Sequence, residues 1–167
     1  MNRVVAIILH AVPRAGAGPL EMAFASARAG NAERLARGFE AAGAEDRIVE
    51  TNPGGAAFGT RLREIAGAGP ESGLVILGSG SVPLATAADL RAFVAAAKRT
   101  ADAEILTNNR YSGDIVAIPA GVNLSDLPDL ASDNGLPRWL ANQGVPIRDL
   151  RRDWRLQVDL DSPIDVL

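Results

Sequence analysis

The sequence predicts an α/β protein with a three-layer, Rossmann-like fold, in which helices cover both faces of a mostly parallel sheet. Two continuous apolar runs, residues 4–9 and 74–77, are typical of strands buried on both faces. Segments with helical apolar spacing alternate with these runs and with shorter strand-like runs. This alternation favours right-handed βαβ crossovers and a single doubly wound domain over residues 1–167.

The elements are predicted in chain order from apolar spacing and turn residues. Strands are expected at residues 4–9, 47–50, 74–77, 104–107, 114–118, 145–150 and 156–160. Helices are expected at residues 20–28, 32–42, 57–66, 86–99 and 137–142, and Thr86 begins the fourth as part of a capping box. Residues 121–134, rich in Pro, Asp, Asn and Ser, predict a loop.

The C-terminal residues predict a helix start, with Ser162 as N-cap, Pro163 at the first helical position and Asp165 in the first turn. Only Val166 and Leu167 follow. Either this helix is one turn long, or the chain is truncated within it.

Composition excludes several classes of function. The chain has no cysteine, one histidine and a formal net charge of −3, which excludes disulfide frameworks, thiolate metal sites and sites with several imidazoles. Without a basic run, nucleic acid is not expected as the partner. Without an apolar stretch of membrane-spanning length or a signal peptide, no membrane association is expected, and the predicted location is the cytoplasm.

Ligands of such sheets bind at the carboxyl ends of the strands, so the loops that follow Leu9, Leu77 and Leu160 are the predicted ligand sites. In the first loop, Arg14 and backbone N–H groups could approach a phosphate. The alternative is a Gly/Pro turn, because neither the dinucleotide fingerprint nor a P-loop is present. His10, at a strand end, is more often a structural histidine than a catalyst.

The second loop contains Gly78, Ser79, Gly80 and Ser81. The glycines allow close backbone approach and the serines place hydroxyls at the strand end, although neither serine has the flanking glycines of a nucleophile elbow. A tight turn before a capped helix explains the same residues.

The third loop contains Asp159 and Asp161. Carboxylates two residues apart on a strand point to the same face and could share a hard cation such as Mg²⁺. Alternatively, Asp161 binds no cation and is simply the residue before the predicted C-terminal helix start.

Two segments resemble nucleotidyltransferases with the glycosyltransferase-A type fold. Residues 74–84, with Leu-Val-Ile-Leu-Gly-x-x-Ser-Val-Pro-Leu, resemble the strand and D-x-P-L motif of that superfamily, and residues 159–165 resemble its closing D-x-D-T-P-x-D-L motif. Within this superfamily, the two segments resemble the molybdenum cofactor guanylyltransferases and the 2-phospho-lactate guanylyltransferases. The resemblance extends from Leu74 to the C-terminus, and residues 4–9 fit the first strand. It implies a nucleotide-diphospho-sugar transferase-like domain.

Two parts of the family's pattern are absent. The family begins with a glycine-rich loop, L-A-G-G-x-S-x-R-M-G…K, that holds phosphates, whereas residues 9–14 contain neither a glycine pair nor a lysine. Ser81 stands where the family has a metal-binding aspartate, and a hydroxyl is a poor substitute for a carboxylate on Mg²⁺. Catalytic activity is therefore left open.

Three functions follow from the resemblance. The first is transfer of a nucleoside monophosphate from a nucleoside triphosphate, with GTP as the implied donor, to a small phosphorylated or cofactor-like acceptor. Mg²⁺ would bind Asp159 and Asp161, and Arg14 would bind the triphosphate. The nucleotide would also contact a set of loop residues, namely Leu9, His10, Gly78, Ser79, Gly80 and Ser81. The second function is nucleotide or partner binding by a degenerate relative, and the third is glycosyl transfer from a nucleotide sugar. The oligomeric state is left open.

The acceptor side is expected, by position, at the polar loops 108–114 and 132–134. The residues Asn108, Asn109, Arg110 and Tyr111 offer donors and a ring for an anionic or planar acceptor, with an exposed hairpin connection as the alternative. Asn134 and Asp133 belong to the second loop, and Asp133 could replace the carboxylate missing at Ser81 if its loop folds back over the strand ends.

Overall fold

The computed structural model describes residues 3–51, 55–66, 72–100 and 104–166. In these residues six strands and four α-helices follow one another. The strands are β1 (Val4–Ala11), β2 (Glu45–Thr51), β3 (Gly73–Gly78), β4 (Ile105–Thr107), β5 (Ile115–Ile118) and β6 (Ile147–Asp149). The helices are α1 (Pro19–Ala41), α2 (Phe58–Ala66), α3 (Ala87–Ala97) and α4 (Leu136–Asn142). The predicted mixed α/β class is confirmed.

The six strands form one sheet in the order β2-β1-β3-β5-β4-β6. β1 pairs in parallel with β2 and β3, and β4 pairs in parallel with β6. β5 is antiparallel to both of its neighbours, β3 and β4. The carboxyl ends of the other five strands and the start of β5 therefore lie along one edge of the sheet.

Apolar side chains cover both faces of the sheet and make the fold three-layered. On one face, Phe39 of α1 and Phe93 of α3 are fully buried against alternate residues of β1 and β3. On the other face, Leu62 of α2 and Leu140 of α4 are buried with Ile7. Burying a side chain of this size contributes about 1.5–3 kcal/mol, so both faces stabilise the sheet.

α1 is one continuous helix, and the predicted break between residues 28 and 32 is wrong. Its buried residues begin only at Asn31, so the first half of the helix is not part of the buried core. Gly30 in the helix is tolerated because neighbouring turns supply its hydrogen bonds, at a cost of about 1 kcal/mol relative to alanine.

Residues 156–160 do not form the predicted seventh strand. Trp154–Gln157 is a 3₁₀ turn, and Asp159 makes only an isolated antiparallel bridge with Ser81. Leu156 is buried on the α1 and α3 face of the sheet, which accounts for the apolar pattern of this segment.

A helical turn begins at both predicted places, and the predicted cap is confirmed at the first of them. Thr86 and Asp89 form the expected capping box at the start of α3. At the C-terminus, Pro163–Val166 forms a single 3₁₀ turn after Ser162. No helix among the described residues is long and apolar enough to cross a membrane.

Candidate functional site

A cleft of about 400 Å³ lies at the carboxyl ends of β1, β2 and β3. The ends of these strands contribute Leu9, Ala11, Thr51 and Gly78. Arg28 of α1 and two residues of α2 form other parts of the wall. This cleft has the position at which ligands bind in open α/β sheets.

The loop after β3 is held by a buried amide from α1. The side chain of Asn31 donates hydrogen bonds to the carbonyl oxygens of Ser79, at 2.8 Å, and Ser81, at 3.0 Å. Arg34, one turn along α1, donates to the carbonyl oxygens of Val82 and Ala85, both at 3.1 Å. The four bonds fix the path of the loop.

Val82 has an unusual backbone conformation in this loop. Its φ is 42°, in the left-handed region that β-branched residues rarely adopt, and the residue is fully buried. Such a conformation costs on the order of 1–3 kcal/mol and persists only where its surroundings impose it. The hydrogen bonds from Asn31 and Arg34 on either side provide that constraint.

The serine hydroxyls of the loop are bound within the protein. Ser79 is fully buried, its Oγ lies 3.1 Å from His10 Nδ1, and it accepts a 3.2 Å hydrogen bond from Arg28 Nε. Ser81 Oγ accepts a bond from the backbone N–H of Gly78 at 3.2 Å. Both hydroxyls therefore help to shape the loop, and Ser79 orients Arg28 at the cleft.

The loop after β3 is in close contact with the segment that carries Asp159 and Asp161. The backbone N–H of Leu160 donates to the carbonyl of Gly80 at 3.0 Å, beside the Ser81–Asp159 bridge. A Cβ at Gly80 would lie 2.6 Å from the Leu160 carbonyl oxygen and 3.3 Å from Asp159 Oδ1. Gly80 is therefore needed for the close approach of these two segments, and its predicted contact with a nucleotide stays a prediction.

Asp159 and Asp161 interact with each other, although they do not lie on the strand from which their shared orientation was predicted. Burial raises the pKa of Asp159 to about 7, together with the negative charges of Asp114 and Asp161 and a hydrogen bond to the Asp161 carboxyl. Every charge that contributes to this shift is negative. Burial and these negative charges favour the protonated form of Asp159.

Two further aspartates, Asp114 and Asp133, interact electrostatically with Asp159, Asp161 or each other. Burial, followed by the charge of Asp114, raises the pKa of Asp133 to about 6. Burial also raises the pKa of Asp114, which accepts a 2.7 Å hydrogen bond from Asn108. We call Asp114, Asp133, Asp159 and Asp161 the acidic group.

The acidic group does not converge on one point. Across residues 3–51, 55–66, 72–100 and 104–166, no three His, Asp or Glu side chains are close enough together to hold a metal ion. Asp133 lines the cleft and interacts electrostatically with Asp114 and Asp161, but it does not complete a three-carboxylate site in place of Ser81. The proposed replacement by Asp133 is therefore wrong. The Asp159–Asp161 pair still matches the one or two carboxylates through which Mg²⁺ commonly binds beside substrate phosphates.

Arginines that sequence reasoning missed line the cleft. Arg28 and Arg61 both contribute to its wall, and Arg28 also lies over the ring of Phe24. Arg14, by contrast, has an exposed side chain that pairs with Glu21 at 3.6 Å at the start of α1. Neither Arg28 nor Arg61 belongs to a recognisable motif, because each reaches the cleft from the side of a helix.

The predicted acceptor loop between β4 and β5 divides into a buried and an exposed part. Asn108 is fully buried, donates to Asp114 and to the Leu156 carbonyl, and accepts from the backbone N–H groups of Asp114 and Ile115. Its side chain therefore connects structural elements and has no free donor for an acceptor. Asn109 donates to Gln157 at 3.4 Å.

Arg110 and Tyr111 form the exposed part of that loop, which is the hairpin connection between antiparallel strands β4 and β5. Asn134 reaches the same hairpin, because its side-chain oxygen accepts a 3.0 Å hydrogen bond from Ser112 Oγ. The two polar loops expected on the acceptor side are thus adjacent.

Comparison with known proteins gives structural similarity alone. No family model matches the sequence, and no curated protein matches it. The fold is similar to the crystal structure of Rv0371c from Mycobacterium tuberculosis H37Rv, with a TM-score of 0.50 and 18% identity over 89% of this chain and 87% of that chain. It is similar to the crystal structure of the Rv0371c homolog from Mycobacterium sp. strain JC1, with a TM-score of 0.50 and 18% identity over 88% of this chain and 84% of that one. At this identity the likeness shows a shared Rossmann-like, three-layer fold.

Proposed function

We propose that this chain binds a nucleoside triphosphate in the cleft at the ends of β1, β2 and β3 and transfers its nucleoside monophosphate to a small phosphorylated or cofactor-like acceptor. The observation that carries the proposal is the Asp159–Asp161 pair, two interacting carboxyls beside the loop that borders the cleft. The resemblance of residues 74–84 and 159–165 to nucleotidyltransferase motifs supports the same assignment.

The cleft has chemistry suited to a nucleotide. Arg28 and Arg61 supply positive charge for phosphates, and Arg28 is oriented by its bond to Ser79. Leu9 and Phe58 supply apolar surface for a base or ribose. Arg14 remains a predicted phosphate contact, although its exposed side chain pairs with Glu21 in this structure.

The donor set of Asp159 and Asp161 fits Mg²⁺, which prefers carboxylate oxygens and completes its coordination with substrate phosphates and water. Bound there, Mg²⁺ would neutralise charge on the transferring phosphates. In the transfer, an ionised oxygen of the acceptor phosphate forms a bond to the α-phosphorus while the bond from that phosphorus to the β-phosphate oxygen breaks. Pyrophosphate leaves with the electron pair, and no proton has to be removed from the acceptor.

A second candidate function is nucleotide binding without transfer. It is favoured by Ser81, whose hydroxyl accepts from Gly78 inside the turn and supplies no third carboxylate. On this alternative the cleft and its arginines are used, but the acidic pair takes no part in chemistry.

Isothermal calorimetry against each of the four nucleoside triphosphates, with and without Mg²⁺, tests both candidates. The first predicts metal-dependent binding of one triphosphate that is lost when Asp159→Asn and Asp161→Asn are combined. Metal-independent binding that survives this double variant would support the second candidate instead. Absence of binding to all four would contradict both.

The matched charge control is Arg138→Gln, because Arg138 is exposed on α4 and is not among the residues that line the cleft. We expect Arg28→Gln to weaken triphosphate binding by about tenfold, the scale of one charge-assisted hydrogen bond, and Arg138→Gln to leave it unchanged. Equal losses in the two variants would mean that the cleft does not hold the phosphates.

A further inference from the structure

A second cleft, of about 270 Å³, lies at the other end of the same sheet edge and is lined by Arg110, Arg151 and Arg152. It follows the carboxyl ends of β4 and β6, whereas the first cleft follows β1, β2 and β3. The two clefts share no lining residue. We call the second one the arginine cleft.

Asp149 holds together the two segments that form the arginine cleft. Its carboxylate accepts hydrogen bonds from the backbone N–H of Arg151, at 2.9 Å, and from that of Arg110, at 3.4 Å. The same carboxylate pairs with the Arg151 guanidinium at 3.4 Å, and its side chain is only 11% exposed. One mostly buried group thus fixes both chain segments relative to each other.

Tyr111 orders two of the three guanidinium groups. Arg110 lies 5.5 Å and Arg151 5.4 Å from the centre of the Tyr111 ring, within the range of cation–π interactions. Stacking on a ring covers the face of a guanidinium and leaves its N–H edge available for an anion. Such pre-ordering reduces the entropy that ligand binding has to remove.

The charges of the lining favour an anion. Three guanidiniums face two carboxylates, those of Asp149 and Asp153, and Asp149 is neutralised by Arg151. Planar guanidinium edges match the oxygens of a phosphate group, with which they form paired, charge-assisted hydrogen bonds. The cleft volume of about 270 Å³ is large enough for a phosphoryl group with a small attached organic group.

We propose that the arginine cleft is a second anion site, which binds a phosphoryl group through Arg110, Arg151 and Arg152. The site shares no lining residue with the nucleotide cleft, so phosphate binding there can be measured separately from nucleotide binding. Its ligand is either free inorganic phosphate or the phosphate ester of a larger molecule, since the chemistry of recognition is the same.

Calorimetry of the whole chain at about 0.15 M salt, where exposed charges are screened over roughly 8 Å, tests the proposal with inorganic phosphate and with glycerol 3-phosphate. The combined variant Arg110→Gln and Arg152→Gln should weaken binding by about tenfold or more, and Arg138→Gln should not change it. Stronger binding of the ester identifies a phosphorylated molecule as the ligand, and stronger binding of phosphate identifies the free anion.

A gain-of-affinity variant keeps the test independent of folding defects. Asp153 is exposed on the rim of the arginine cleft, so Asp153→Asn should strengthen phosphate binding about two- to threefold by removing a nearby negative charge. Failure of both probes to bind the wild-type chain would overturn the proposal. So would binding that is lost in Arg28→Gln and unchanged in the Arg110 and Arg152 variant, because the anion would then occupy the other cleft.

Discussion

The side-chain amide of Asn31 donates a 3.0 Å hydrogen bond to the backbone carbonyl of Ser81, fifty residues away along the chain. The same amide donates to the carbonyl of Ser79, and its oxygen accepts from Arg34. Asn31 is therefore the buried connection between α1 and the loop that forms one wall of the site.

We expect Asn31→Ala to lower the free energy of unfolding by about 2–3 kcal/mol, because it leaves two carbonyl oxygens of the loop without their donor. Chemical denaturation measures the loss. Asn142→Ala, at an exposed position at the end of α4, is the control and should change stability by less than about 0.5 kcal/mol. A loss no larger than in the control would show that the loop holds its conformation without Asn31.

Two glycine variants should have opposite effects on stability. Gly80→Ala would place a methyl group 2.6 Å from the Leu160 carbonyl oxygen, so the Asp159 segment would have to move. We expect a loss of about 1–3 kcal/mol, typical of overpacking at a rigid position. Gly30→Ala, on an open face of α1 where a Cβ meets nothing within 4 Å, should stabilise the chain by about 0.5–1 kcal/mol.

Thermal unfolding of both glycine variants distinguishes these outcomes. Stabilisation in Gly80→Ala would mean that the loop and the Asp159 segment are not in close contact. Destabilisation in Gly30→Ala would contradict a continuous helix through that position.

Stability should fall as pH rises from the ordinary aspartate value of 3.8 to about 7. The pKa of Asp133 is raised to about 6 and that of Asp159 to about 7, so the folded chain retains protons that the unfolded chain releases. The unfolded state binds fewer protons in this interval, and the free energy of unfolding decreases with pH until both groups are ionised. Denaturation at a series of pH values should show a flatter profile for Asp159→Asn.

Asp129 provides the control of opposite sign for the pH experiment. Hydrogen bonds from Thr60 and then Arg63 hold its pKa below 3.8, so its contribution to stability is lost only when the pH falls below that value. Asp129→Asn should therefore remove a decrease on the acid side and retain the decline towards pH 7. A neutral-range decline that persists unchanged in Asp159→Asn and Asp133→Asn would refute the assignment to these carboxyls.

Ser81→Asp should strengthen Mg²⁺ binding by about tenfold, because it adds a carboxylate directly across the β-bridge from Asp159. Calorimetry with Mg²⁺ in the presence of nucleotide measures the gain. Ser81→Asn has nearly the same shape without the charge and should show no gain. Equal affinity in the two variants would mean that position 81 does not face the metal site.

Strong local patterns made much of the fold predictable. The continuous apolar runs of β1 and β3 and the Thr86–Asp89 capping box are properties of neighbouring residues, and each occurs where it was predicted. The apolar pattern at residues 156–160 was misleading. Leu156 is buried from a 3₁₀ turn, and the segment makes only a single bridge, from Asp159 to Ser81. A strand requires a partner along its length, and periodicity does not reveal whether one is present.

The sequence by itself determined the α/β class and the buried strands β1 and β3, because these depend on apolar patterns within single segments. Only the tertiary structure brought Arg28 and Arg61 to the cleft, enclosed Asn108 in a structural role and placed Arg110 beside Arg151 on Tyr111. Contacts between distant segments depend on how helices and loops pack on the sheet, and the same packing sets the burial that raises the carboxyl pKa values.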